Sequence, residues 1–144
     1  MNPALQPGLR FEWQYRVPER ATVPQLYHDT DFCLDMPDVL ATGYMVGMME
    51  LACQNAILPY LDWPHEQSLG TMVSFVHLAA TPPGMVLAIR GEVIGVDGRK
   101  VRFRVEADDG IDAICRGEHE RTIVLTERLN QKIAAKRAAF EARN

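Results

Sequence analysis

Positive charge is in short supply in this chain. Fifteen Lys and Arg face nineteen Asp and Glu, which leaves a net charge of -4 and a pI near 5.5. That balance offers nucleic-acid phosphates no broad basic surface, so DNA and RNA are not expected partners. Cysteine is scarce as well. Cys33, Cys53 and Cys115 are odd in number, far apart and without C-x-x-C spacing, which argues against both a disulfide framework and a thiolate zinc cage. Reduced thiols in a cytosolic protein are the expectation. No long hydrophobic run is uninterrupted: between Val39 and Leu61 stand Gly43, Gly47, Glu50, Gln54, Asn55 and Pro59, so this stretch reads as a buried helix and not as a membrane span. Pro3, Pro7, Glu12 and Glu19 occupy the region where a secretory signal needs a basic start and an apolar block. A cytoplasmic location is expected. G-x-G-x-x-G, Walker and G-x-S-x-G loops are missing, and no H-E-x-x-H or close His/Cys set suggests a metal site.

What remains is enough for one ordinary globular domain over residues 1–144, with 47% hydrophobic residues to fill a core. From Leu9 to Val17, Phe11, Trp13 and Tyr15 alternate with Glu12, Gln14 and Arg16, the period-two pattern of a half-buried strand. Residues 18–37 contain Pro18, Pro24 and Pro37 and keep no period, which predicts a long ordered loop with at most one helical turn. Asp35 or Asp38 is placed to cap a helix that runs on to Pro59, and Glu50 is its only charge between Val39 and Leu58. Hydrophobic residues on nearly every face predict a helix surrounded by protein, with Gly43 and Gly47 admitting a close backbone. Four strands follow, Leu69–Ala80, Met85–Val96, Val101–Ala107 and Ala113–Leu125, separated by Pro82-Pro83-Gly84, Asp97-Gly98 and Asp108-Asp109-Gly110. Thr126 is placed to cap a peripheral helix ending near Ala142. One buried helix and consecutive antiparallel strands predict an α+β hot-dog fold, a curved sheet wrapped around the helix.

Several polar residues sit in this apolar frame. Glu50 has Val46, Gly47 and Cys53 as its helical neighbours, so its charge needs a partner. It is either a catalytic base or nucleophile, or a carboxylate tied to Gln54, an arginine or backbone donors. Thr42 lies eight residues earlier, about 80° around the axis and roughly 12 Å along it, too far for a direct bond to Glu50 but able to face the same cleft. Back-bonding to a carbonyl one turn earlier is its ordinary alternative. His77 falls in a largely apolar strand, as a proton shuttle or as a satisfied core histidine. His119 and Arg121 share the parity of Ile123 and Leu125, so they either pair with Glu50 or bind an anion, or a bulge turns them to solvent. Lys100, Arg102 and Arg104 alternate with Val101, Phe103 and Val105 as a solvated strand face.

Val39-Leu40-Ala41-Thr42-Gly43-Tyr44-Met45-Val46-Gly47-Met48-Met49-Glu50, Ser68-Leu69-Gly70-Thr71, His77 with Ala80-Thr81-Pro82-Pro83-Gly84, and Gly117-Glu118-His119-Glu120-Arg121 together resemble the fluoroacetyl-coenzyme A thioesterases and their hot-dog relatives. The resemblance runs through nearly the whole chain. It implies hydrolysis of a short acyl-CoA by a homodimer, with no cofactor or metal and no membrane or nucleic-acid partner. It places Thr42, Glu50 and His77 at the positions of the family's catalytic triad, and Gly70 and Arg121 near its substrate pocket. Where that family uses phenylalanines as a hydrophobic lid, this sequence has Cys33 and Met36, with Phe32 one position away. A noncatalytic acyl-CoA sensor and an enoyl-thioester hydratase are the competing functions within the fold, although the Asp/His pairing typical of such hydratases is not found before the core helix.

Overall fold

The computed structural model describes residues 1–143. Five strands, β1 (Arg10–Arg16), β2 (Glu66–His77), β3 (Val86–Asp97), β4 (Lys100–Asp108) and β5 (Ala113–Leu125), form one antiparallel sheet in the order β1-β3-β4-β5-β2. Two helices of four residues, α1 (Val23–Leu26) and α2 (Asp31–Leu34), precede the long helix α3 (Thr42–Ile57), and α4 (Thr126–Glu141) ends the chain. Helix α3 buries Met45, Met48, Met49, Ala52, Cys53 and Ile57 in a core shared with Leu87, Ile89, Val93, Val101, Phe103 and Ile123 of the sheet. Each large side chain so buried contributes about 1.5–3 kcal/mol of transfer free energy. This core holds the helix in the sheet's concave face, as the apolar run around Glu50 predicts.

The boundaries differ where backbone bonds outside the helix win. Instead of an Asp-capped start, residues 39–41 are held outside the helix: Val23 N–H donates to Val39 O, Leu40 N–H to Thr81 O and Ala41 N–H to Ala21 O. Helix α3 therefore begins at Thr42. Residues 18–37 hold more structure than the single turn expected, namely a 3-10 turn at Glu19–Ala21 together with α1 and α2. Strand β2 starts at Glu66 and stops at His77, not at Leu69 and Ala80, because it follows its pairing with β5 from Glu66↔Leu125 to His77↔Cys115. Thr126 does not cap α4; its hydroxyl donates to Pro64 O, 2.6 Å away. The hairpin at Asp97-Gly98 forms as the sequence predicts, with Gly98 at φ +56°, a conformation that favours glycine.

Strands β1 and β2 are the sheet's edges. Leu69, Val73 and Val76 stand exposed on β2, which is twelve residues long. An uncovered apolar edge of this length is a template for pairing with another strand. Among the described residues, no helix is long and apolar enough to cross a membrane.

Candidate active site

Directly opposed residues in the sheet share a face. The register Ser68↔Ile123, Gly70↔Arg121 and Val73↔His119 puts all six on the concave side toward α3, with a bulge between Gly70 and Met72 absorbing one residue. The bulge lies on β2, so β5 keeps its phase, and His119 and Arg121 are buried and not turned to solvent. Arg121 is fixed from several sides. Its Nε donates to Ser68 Oγ at 2.9 Å, and its Nη2 donates to Ser68 O at 2.8 Å and Gln54 Oε1 at 3.4 Å. Its Nη1 lies 3.8 Å from Glu50 Oε1. The guanidinium is thus the partner that the lone charge on α3 requires, and Gln54 touches Arg121 rather than Glu50.

The Glu50 carboxylate lies against Gly70. A methyl group at residue 70 would overlap Glu50 Oε1 and come within 3.2 Å of the His119 ring. The glycine is required here for close approach and not for an unusual backbone angle. The Glu50 side chain is 36% exposed, so one side of the carboxylate stays open. Cys53, one turn further along α3, is a neutral thiol, pushed up to about 12 by burial.

Thr42 and His77 form a second cluster. Thr42 Oγ1 lies 2.8 Å from His77 Nδ1, joining the first residue of α3 to the last of β2. At the head of the helix Thr42 has no helical carbonyl one turn earlier, so its hydroxyl turns to the imidazole. His77 Nε2 is buried and has no hydrogen-bond partner among the described residues. Burial lowers the pKa of His77, and the Ala79 backbone opposes this in part. His77 is therefore neutral at pH 7 and free to accept a proton.

One chain does not bring the two clusters together. Six residues of β2 lie between Gly70 and His77, about 20 Å of strand. Of the residues ahead of α3, Cys33 is buried, whereas Phe32 (70% exposed) and Met36 (43% exposed) stand on the surface. Gly43 and Gly47 do not receive a backbone. The Tyr27 hydroxyl lies 3.0 Å from where a Gly43 Cβ would be, and Gly47 opens onto an apolar cavity of about 340 Å³ bounded by Tyr15, Leu26, Tyr44 and Leu51. Ser68 is the residue that sequence reasoning leaves without a role. Its signal is parity, since it is a polar side chain two positions before Gly70 on the face of Ile123.

A curved antiparallel sheet around a buried helix, with polar groups gathered at one edge strand, defines a hot-dog protein of the thioesterase superfamily. A Thermus thermophilus protein described as a member of that superfamily superposes with a TM-score of 0.83, at 29% identity over 99% of both chains. The chain belongs to the fluoroacetyl-CoA-specific thioesterase family, whose model matches residues 24–127. A fluoroacetyl-CoA thioesterase of Streptantibioticus cattleyicolor is 42% identical over 139 residues, covering 96% of this chain and 99% of that protein. A solved structure of the fluoroacetyl-CoA thioesterase FlK superposes with a TM-score of 0.87, at 43% identity over 92% of this chain and 97% of that one.

Proposed function

We propose that the chain hydrolyses a short acyl-CoA thioester at a site completed by a second copy of itself. Water and the thioester give a free acid and CoA thiol, with no other reactant. Glu50 supplies the base or nucleophile, and the Gly70 backbone lets the thioester carbonyl approach that carboxylate. Thr42 and His77 position the thioester and carry the proton to the departing thiolate. The contact between the Glu50 carboxylate and Gly70 carries this reading, because it holds a charged oxygen at an open edge where a planar carbonyl fits and a side chain does not.

The free edge of β2 supports the second copy. Antiparallel pairing about a two-fold axis at Ser74, with the bulge taking up the extra residue, sets the partner subunit's His77 across from Gly70 on the same face. Each dimer then has two sites, each built from Glu50 and Gly70 of one subunit with Thr42 and His77 of the other. Isologous pairing also covers Val73 and Val76. A cytoplasmic location goes with this reading, since acyl-CoA is an intracellular substrate.

The test is thiol release across a panel of acyl-CoA esters, with subunit mixing. Glu50→Gln and His77→Ala are each expected to lose roughly two to four orders of magnitude in kcat/KM. Mixed and re-equilibrated, the two inactive variants should recover about a quarter of wild-type activity, because half of the dimers are mixed and one site in each is intact. A mixture as inactive as its components overturns the shared site. Tight acyl-CoA binding without thiol release by the wild type overturns the enzyme in favour of a sensor.

A further inference from the structure

Behind the Glu50 carboxylate lies an imidazole that the proposed chemistry does not use. His119 is fully buried, with its ring centroid 6.1 Å from that of Phe103 at an interplanar angle of 25° and 6.2 Å from that of Phe75. Both ring nitrogens have partners: Nδ1 is 2.8 Å from Met72 O and Nε2 is 3.2 Å from Arg121 Nη1. A carbonyl only accepts and a guanidinium only donates, so Nδ1 carries the hydrogen and Nε2 presents its lone pair to Arg121. The ring is neutral. Its 3.9 Å approach to Glu50 Oε1 is therefore not an ion pair.

We propose that His119 is a positioning residue for the acyl-transfer site, its tautomer fixed by the Met72 carbonyl at the β2 bulge so that Nε2 holds the Nη1 edge of Arg121 against Glu50. Ser68 and Gln54 grip the Nε and Nη2 side of the guanidinium, and His119 is the contact on the Nη1 side. Protonating His119 would set an N–H against the N–H of Nη1, both positive, and break this contact. Burial lowers the His119 pKa and the Arg121 charge lowers it further, against the Met72 carbonyl, Glu50 and Glu120. Glu50 and Cys53 are the titratable groups of α3 that act on Arg121. Glu120 points to the other face of the sheet, where Lys100 and Arg102 hold it.

This inference rests on the role proposed for Glu50, so its test has one readout that needs no turnover. His119→Gln keeps an acceptor for Arg121, and His119→Leu removes it. With the Nη1 side of Arg121 released, the separate Nη–H signals that fixed partners give its guanidinium in the NMR spectrum should broaden and merge in His119→Leu. The kcat/KM should fall about tenfold with it, and His119→Gln should recover most of both effects. Unchanged Arg121 signals in a folded His119→Leu protein overturn the positioning role, as does a His119→Gln variant whose Arg121 signals match those of His119→Leu. If His119→Leu does not fold, the ring nitrogen signals of His119 in the wild type decide: a protonated ring, or the Nε2–H tautomer, at pH 7 overturns the proposal. Merged Arg121 signals in His119→Leu, with no thiol released by the wild type, leave the positioning intact and defeat the catalytic reading.

Discussion

Glu50 and Gly70 share a space that only one of them can fill: the Glu50 carboxylate occupies the position where any side chain at residue 70 would begin. The helix supplies the charge and the edge strand supplies the vacancy. Because the overlapping atom is the far end of a flexible side chain, the fold can yield while the geometry cannot.

Gly70→Ala should accordingly fold and keep a melting temperature close to that of the wild type, yet lose about two orders of magnitude in kcat. The methyl group displaces the carboxylate instead of breaking the core. Thermal denaturation beside steady-state kinetics checks this, and a variant that loses stability but keeps kcat contradicts the arrangement.

In the proposed mechanism Thr42 acts through its hydroxyl. Thr42→Ser retains the 2.8 Å bond to His77 and should retain more activity than Thr42→Ala, with the difference appearing in kcat. Equal activity in the two variants would assign Thr42 to packing.

Two histidines give stability a defined dependence on pH. Burial lowers the pKa of both His77 and His119 below the ordinary value of 6.5, so the unfolded chain takes up protons before the folded one does. Their contribution is complete above about pH 6.5 and is lost as the pH falls through the folded-state values. The melting temperature should therefore fall between pH 7 and pH 5, and it should fall less steeply in His77→Gln. An equal slope in both proteins would mean that other groups set the acid limit.

Much of the fold is legible in the sequence because its signals are local. The alternation of Phe11, Trp13 and Tyr15 specifies β1, and Asp97-Gly98 specifies the hairpin between β3 and β4. The start of α3 is not local information. Residues 39–41 are helix-compatible, but bonds to Ala21, Val23 and Thr81, which lie far off in sequence, hold them outside the helix. The site divides in the same way. Glu50 stands out as a lone charge in an apolar helix, and the parity of His119 and Arg121 leaves burial or exposure open. A bulge on the opposite strand settles that choice, and no residue of β5 records it.

We propose that acyl selectivity is set in part at Cys33 and Met36, which by resemblance take the place of the phenylalanines of the family's hydrophobic lid; Cys33 packs inward, whereas Met36 and Phe32 are exposed. A rigid aromatic ring closes over a small acyl group in one way. A thioether with three rotatable bonds closes in several, so it excludes less and accepts more. The preference for fluoroacetyl-CoA over acetyl-CoA should therefore be weaker than in an enzyme with the aromatic lid. Across a series of short acyl-CoA esters the rates should be graded, since one methylene in an apolar pocket is worth only about 1–3 kcal/mol. Met36→Phe should sharpen the ratio of the fluoroacetyl to the acetyl kcat/KM, while Phe32→Ala should relax it. Relative rates that stay constant across the panel in both variants would remove this segment from the pocket and leave the residues around Gly70 to set the acyl preference.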